Sequence, residues 1–444
     1  MKKFLLVCLL VLSIALLPLT GLCQEGITLD LSKGDVIITA DGYTQAEKTE
    51  KAAGPYTIIQ SDPAVPGLLS VNGAKVEITL VNLALANAAA SPIDIFNEAQ
   101  VTLIFDGINT LDGSLAENKA GLRVATDSAL ILQAANEDAF LDVKGGFHGA
   151  GIGGNNEETA GSITIKNGTI NTLGGVAGAG IGGGFSGHGG NITIENGYII
   201  ATGNEAGAGI GGGWIGNCGN VVILGGVIEA TGGARAAAIG NGSDMGGGFI
   251  TIKGGTINAT AGLSSSAIGG GLMSQQGCTI VVEGGIVNAT AVQDGAGIGS
   301  GFAINYATKD GGTLLITGGS VTEYSTGYEY LNAIVTLRGG EYMSKTTITD
   351  GIILEGGTLK IMSTGRSVVP QPIASVEDTA EIVINYHTKD VEDAETVYKV
   401  TGDFVLLTTK NPEVTAECFT IHGAPDAKLV GTDANDIVSF TIVK

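Results

Sequence analysis

Apolar residues and glycines recur through the middle of the chain at a nearly constant interval. The phrase Gly-Ala-Gly-Ile-Gly-Gly at 149–154 returns at 178–183 and 207–212, and altered copies follow at 236–241, 265–270 and 295–300. The isoleucines of these copies are 29 residues apart, except for a last step of 30: Ile152, Ile181, Ile210, Ile239, Ile268 and Ile298. A fixed period of this length is typical of a solenoid, in which each repeat covers the core of its neighbour.

Each repeat contains three short segments with the pattern of β-strands. The first is Ala-Gly-Ile, the second is a β-branched triplet such as 163–165, and the third follows a glycine, as in 197–201. Because side chains alternate across a strand, Ala150 and Ile152 share the inward face. The same alternation places Ile163 with Ile165, and Ile199 with Ala201, on that face. The sequence therefore predicts an all-β parallel β-helix with about 29 residues per coil and strands about 4.8 Å apart.

The same alternation predicts columns of outward-facing residues that run along the stack. Beside each repeat isoleucine lies a glycine, which predicts a flat ribbon nearly free of side chains. Four residues past the isoleucines comes another column: Asn156, Phe185, Trp214, Ser243, Leu272 and Phe302. Phe185 and Trp214 would stack in adjacent coils. Together with Phe302 and the exposed glycine ribbon, they form the predicted face for contact with sugar rings. Burial of these aromatics under a loop is the alternative.

A polar column and the cysteines add little specific chemistry. Asn171, Asn258 and Asn288 share one outward column, where they would either donate hydrogen bonds to a glycan or simply face solvent. A mature chain would contain Cys218, Cys278 and Cys418, an odd number without zinc-ligand spacing. Cys218 and Cys278 are two coils apart, about 10 Å at strand spacing, which predicts no bridge between them.

The flanks of the repeat differ from it in composition. Residues 1–23 have a basic start, an apolar run and a small-residue end, which predicts a secretory signal peptide with cleavage before Gln24. A lipoprotein signal acylated at Cys23 is the alternative, and bulky Leu22 disfavours it. We expect an N-terminal cap at 24–65, the β-helix at 66–365, and a C-terminal β-domain or cap at 366–444.

Composition excludes several classes of protein. With 73 glycines, only 9 prolines and no Gly-X-Y period, the chain is not collagen, and 44% hydrophobic residues is too high for disorder. The net charge of −22 disfavours nucleic acid and anionic membranes as partners, because both require a basic surface.

These phrases resemble a known family. Val101-Thr102-Leu103, Gly107–Leu111 and the repeated Gly-Ala-Gly-Ile-Gly-Gly-Gly with Ile-Thr-Ile look like exported bacterial surface proteins with glycine-rich repeats. The resemblance covers roughly 66–320. It implies a right-handed parallel β-helix at the cell surface, with adhesion or glycan binding as the function, and it supplies no catalytic residues.

Catalytic and cofactor motifs are weak. The glycine phrase satisfies the dinucleotide pattern G-x-G-x-x-G, but a strand follows it where nucleotide binding requires a helix. Gly187-His188-Gly189 is similar to a polygalacturonase signature, yet no Asp pair accompanies it, and Asp142, Asp244 and Asp294 are scattered. We therefore expect a non-catalytic adhesin or polysaccharide-binding protein without metal or cofactor. A polysaccharide lyase or hydrolase and a structural surface-layer spacer are the alternatives.

Overall fold

A computed structural model describes residues 26–274, 276–293, 295–302, 310–324 and 333–344 with their side chains. Beyond residue 344 it describes the strands given below. The predicted signal peptide, Cys23 and Cys418 lie outside the described residues. Among the residues described, no helix has the length and apolar character needed to span a membrane.

The chain folds as a right-handed parallel β-helix of roughly 29 residues per turn, which confirms the predicted fold class. From Leu69 to Tyr324, each turn contributes one strand to each of three long sheets. Residues one repeat apart are direct ladder partners, as Ile181 is to Ile152 and to Ile210. The additional residue of the 30-residue step lies between Ile268 and Thr279. The strand that follows it, Thr279–Val282, pairs with Phe249–Ile252 without a register shift.

One sheet, here called the triplet sheet, contains the β-branched triplets. Its 14 strands stack in chain order. Their bounds are Ile27–Asp30, Tyr56–Ile59, Lys75–Val81, Gln100–Asp106, Ala129–Ala134, Ser162–Ile165, Asn191–Ile194, Asn220–Ile223, Phe249–Ile252, Thr279–Val282, Thr313–Ile316, Ile334–Leu337, Ile352–Leu354 and Ile373–Val376.

The second sheet, the glycine sheet, contains the repeat isoleucines and shortens to two-residue strands from Ile152 onward. Its 12 strands, in spatial order, are Lys48–Glu50, Gly42–Gln45, Val36–Thr39, Leu69–Asn72, Ile93–Phe96, Leu122–Val124, Ile152–Gly153, Ile181–Gly182, Ile210–Gly211, Ile239–Gly240, Ile268–Gly269 and Ile298–Gly299.

The third sheet, the threonine sheet, follows the second bend of each coil. Its 13 strands are Ala84–Ala86, Ile108–Asp112, Phe140–Lys144, Thr169–Leu173, Tyr198–Thr202, Val227–Thr231, Thr256–Leu263, Ile286–Val292, Ser320–Tyr324, Glu341–Ser344, Gly357–Met362, Ala380–Asn385 and Phe419–His422.

The ends of the stack carry additional pairings. Near the start, a 3₁₀ turn spans Leu31–Lys33, and the antiparallel strands 42–45 and 48–50 line the edge of the glycine sheet. Near the other end, Phe404–Thr409, Lys428–Ala434 and Ile437–Val443 form a separate antiparallel sheet. Parallel pairing itself runs from Ile27 to His422, and the domain limits at 66 and 365 stay predictions.

The core lies inside the coil and consists of stacked aliphatic side chains. The inward positions predicted above, including Ala150 with Ile152 and Ile163 with Ile165, are fully buried, which confirms the predicted alternation. Each fully buried Ile or Leu contributes roughly 1.5–3 kcal/mol relative to its exposed state. Because these inward positions repeat from coil to coil, the outward residues between them also align in columns on the three outer faces.

Candidate functional site

The glycine ribbon beside the repeat isoleucines is buried, so the expectation of an open flat surface is wrong. An added Cβ on Gly182 would lie 1.9 Å from the carbonyl oxygen of Gly211, and one on Gly153 would meet the oxygen of Gly182 equally closely. Gly182 also has φ of +138°, which residues with a Cβ rarely adopt. The glycines allow backbones to approach each other closely, and they offer no surface to a ligand.

An aromatic edge lies where the bend before the glycine sheet contacts the bend that follows this sheet in the next coil. It comprises Phe147, His148, Phe185 and Trp214, whose rings form a continuous chain over neighbouring coils. Ring centroids are 4.7 Å apart for Phe147 and His148, 5.5 Å for His148 and Phe185, and 5.7 Å for Phe185 and Trp214. Phe147 is 49% exposed, and the other three rings are partly buried.

The Phe185 and Trp214 rings meet edge to face, with an angle of 85° between their planes. They are adjacent, as the sequence predicts, but they do not form one flat platform. Trp214 Nε1 donates a 2.8 Å hydrogen bond to Asp244 Oδ2, and the Ser243 hydroxyl donates to the same oxygen. The indole is therefore held in one orientation by the next coil, with part of its ring exposed. The role of these rings in binding stays a prediction.

The sequence reasoning missed Phe147 and His148. Backbone pairing places them beside the predicted column, because the Phe185 amide donates to the His148 carbonyl oxygen at 2.8 Å. His148 Nδ1 is also 2.8 Å from Asn118 Oδ1. A signal was present, since 147–148 immediately precede the first glycine phrase. Phe302 belongs to the predicted column but follows Ser243 and Leu272, so it extends no continuous chain of rings.

The predicted asparagine column is present on the outer face of the threonine sheet. Asn288 Nδ2 donates to Asn258 Oδ1 at 2.8 Å, and Asn258 Nδ2 donates to Glu229 Oε1 at the same distance. Asn171 donates similarly to Asp142. These bonds run along the solenoid axis and fix the amide groups in a ladder. Whether the ladder binds a ligand stays a prediction.

Beside this ladder lies a column of four threonines that the sequence reasoning overlooked. Thr202, Thr231, Thr260 and Thr290 are direct ladder partners in successive coils. The signal was the Asn-Ala-Thr sequence at 258–260 and 288–290, whose first and third residues must share a face.

The scattered acidic and histidine side chains have structural partners. His188 Nδ1 accepts a hydrogen bond from the Asn217 amide, and Asp142 is 3.8 Å from Lys144 Nζ. Asp244 holds Trp214, and Asp294 lies outside the described residues. Within the described part of the chain, no three His, Cys, Asp or Glu side chains converge as a metal site requires.

Two free cysteines meet inside the solenoid. Cys218 and Cys278 are buried, and their sulfur atoms lie 3.4 Å apart. The separation of about 10 Å expected from strand spacing does not hold for the sulfur atoms, because the coil between them has Gly248, where an added Cβ would lie 2.4 Å from Cys218 Sγ. The side chains meet in the space that this glycine leaves. The contact with Cys218, together with burial, raises the pKa of Cys278 well above its usual value.

Comparison with known proteins agrees with this repeat geometry. The family model for a beta helix repeat matches the chain at residues 192–214, 221–243, 250–272 and 280–302. Each matched stretch begins at the triplet and ends at the column four residues past the repeat isoleucine. No curated protein and no solved structure gives a match. Four successive coils are therefore similar to a known β-helix repeat.

Proposed function

We propose that the protein is exported to the cell surface and binds polysaccharide there as a non-catalytic adhesin. The aromatic edge is the observation that carries the proposal. Its rings present partly exposed apolar surface over consecutive coils, and aromatic faces contact sugar C–H groups over a large area at a low cost in conformational entropy.

The acidic character of the chain and the partners of its carboxylates support binding without catalysis. A glycosidase requires one carboxyl group free to donate a proton and a second free to act as base or nucleophile. Asp142, beside the asparagine column, accepts a hydrogen bond from Asn171, and Asp244, beside the aromatic edge, accepts one from Trp214. Both side chains hold other groups in place.

The proposal is tested on a glycan array with the wild-type protein and a Trp214→Ala variant. We expect binding to at least one polysaccharide class and a loss of about tenfold or more in the variant, in the range of 1–3 kcal/mol for an aromatic contact. Phe249→Ala is the matched control, because Phe249 is exposed on the triplet sheet, away from the aromatic edge.

The control should bind as the wild type does. Absence of binding to every glycan, together with unchanged cell attachment by the Trp214 variant, would overturn the proposal. Release of new reducing ends or an unsaturated product from the glycan would favour the lyase or hydrolase alternative instead.

A further inference from the structure

Five coils in the middle of the threonine sheet present a lattice of three outward columns, here called the threonine face. Ladder pairing keeps the columns in register from 169–173 to 286–290. The first column contains Thr169, Tyr198, Val227, Thr256 and Ile286; the second contains Asn171, Ile200, Glu229, Asn258 and Asn288; the third contains Leu173, Thr202, Thr231, Thr260 and Thr290.

This face is almost uncharged on a strongly acidic chain. Glu229 is the single ionisable carboxylate among its fifteen positions, whereas the chain has a net charge of −22. The edge of the triplet sheet differs, because the column immediately after its strands contains Lys166, Glu195, Leu224, Lys253 and Glu283. The fifteen positions hold no cation, and Lys144, the ladder partner of Leu173 at the border of the face, is paired with Asp142. The face therefore does not attract a polyanion, and the surrounding negative charge repels one.

The three columns differ in what they offer a partner. The side chains of the first column include exposed apolar groups, with Ile286 51% and Tyr198 43% exposed. In the second column, the side-chain amides of Asn258 and Asn288 donate hydrogen bonds to other residues of the same column. The hydroxyl groups of the third column donate to no residue in the described part of the chain, so they are available to a ligand. Thr231 and Thr260 are the most exposed of the four.

We infer that this face binds an extended, neutral polysaccharide whose chain lies along the solenoid axis. This inference rests on the proposed function and specifies its ligand class. Strand spacing repeats each hydroxyl about every 4.8 Å, comparable to the advance of one sugar in an extended hexose polymer. Each sugar would contact one coil, with hydroxyls facing the threonines and C–H groups facing the apolar column.

A second copy of the chain fits this face less well than a polymer does. Five coils and three columns cover about 20 Å by 14 Å, which is roughly 300 Å². A standard protein interface buries about 800 Å² on each partner. A narrow face whose side chains repeat in every coil is better suited to a single polysaccharide chain, which is also narrow and repeats along its length.

The test compares two soluble polymers with the same backbone, hydroxyethylcellulose and its anionic counterpart carboxymethylcellulose. Affinity is measured by calorimetry for the wild type and for Thr231→Val/Thr260→Val, which keeps the shape and strand preference of the side chains. We expect the wild type to prefer the neutral polymer, and the variant to lose about tenfold in affinity through two lost hydrogen bonds.

Thr164→Val/Thr193→Val is the matched control, since these threonines are ladder partners on the triplet sheet, where valine already occupies the same column at 222 and 281. It should bind as the wild type does. Equal affinity for both polymers, or unchanged binding by the Thr231/Thr260 variant, overturns the inference. If neither polymer binds but another glycan binds through Trp214, the inference fails while the proposed function stands; if no glycan binds, both fail.

Discussion

In the glycine sheet, the outward position directly after each inward Ile or Leu is occupied by different residues in the two halves of the stack. In the upstream coils it holds Asp94 and Arg123, which are ladder partners. Arg123 Nη1 lies 2.9 Å from Asp94, and Nη2 lies 2.8 Å from Glu158, while its guanidinium carbon is 5.9 Å from the centre of the Phe96 ring. In the upstream coils, these charged side chains cover the outer face of the glycine sheet.

From Gly153 onward the same column contains only glycine, with φ between +128° and +148°. Register is continuous across the change, since Arg123 pairs directly with Gly153. Strands here shorten to two residues, so the chain turns as soon as it has passed the glycine. The same ladder position is therefore covered by paired charged side chains in the upstream coils and by direct contact between backbones in the downstream coils. The downstream arrangement leaves no space for a Cβ.

The largest effect is expected from a methyl group placed in the glycine column. Gly182→Ala would put a Cβ against the carbonyl oxygen of Gly211 at a strained φ. We expect a loss of more than about 3 kcal/mol in the free energy of unfolding, measured by urea denaturation.

Gly26→Ala is the control, because a Cβ there would meet its nearest atom at 3.5 Å. It should change stability by less than about 0.5 kcal/mol. A Gly182 variant within 1 kcal/mol of the wild type, on the order of an ordinary point mutation, would show that the column has room.

A pH effect of similar size is expected where the glycine coils end. Glu323 is fully buried beside Gly297, and the Tyr342 hydroxyl donates to its Oε2 at 2.7 Å. Burial raises the pKa of Glu323 from 4.5 to about 7, an effect that the Tyr342 hydrogen bond opposes only in part. The protonated carboxyl is therefore favoured in the folded state, and stability is lost as pH rises from about 4.5 through 7.

The integrated loss is about 3 kcal/mol by linkage. Glu323→Gln should remove this component, so the difference in unfolding free energy between variant and wild type should grow between pH 5 and pH 8. Parallel pH profiles for the two proteins would show that Glu323 titrates normally.

The reciprocal substitution in the upstream half should have the smallest effect of the three. Arg123→Gly introduces the downstream residue where side chains close the edge. We expect a loss of about 2 kcal/mol, from the entropy of glycine in a strand and from two partly buried carboxylates left unpaired.

Arg123→Lys keeps one charge and should recover part of the loss, which urea denaturation of the three proteins would measure. If Arg123→Gly destabilised the protein more than Gly182→Ala, the two halves would not differ in the way described.

The sequence predicted the coil well because its evidence is periodic. Ile152, Ile181 and Ile210 recur at the spacing that makes them ladder partners, and alternation then places Ala150 inside. The surfaces were harder to predict. A glycine such as Gly182 has no side chain, so its position in the pattern does not reveal whether backbone covers it.

Contacts between side chains also lay beyond the pattern. The two cysteine sulfurs meet because Gly248 leaves space between their coils, a relation that strand spacing alone does not contain. The edge-to-face angle of Phe185 and Trp214 depends on Asp244 in the following coil. The threonine column, by contrast, followed from alternation and was readable from Asn258 and Thr260.

The extra residue between Ile268 and Thr279 bears on how such a molecule changes in evolution. The next pairing in the triplet sheet has no register shift, so the bend accommodates the insertion. The same insertion within a strand would have moved the inward side chains to the outer face. Duplication of one whole unit would lengthen the rod by a single strand spacing, about 4.8 Å, and leave existing neighbours in place. The length of such a solenoid can therefore change in evolution by whole coils, whereas insertions within its strands are tightly restricted.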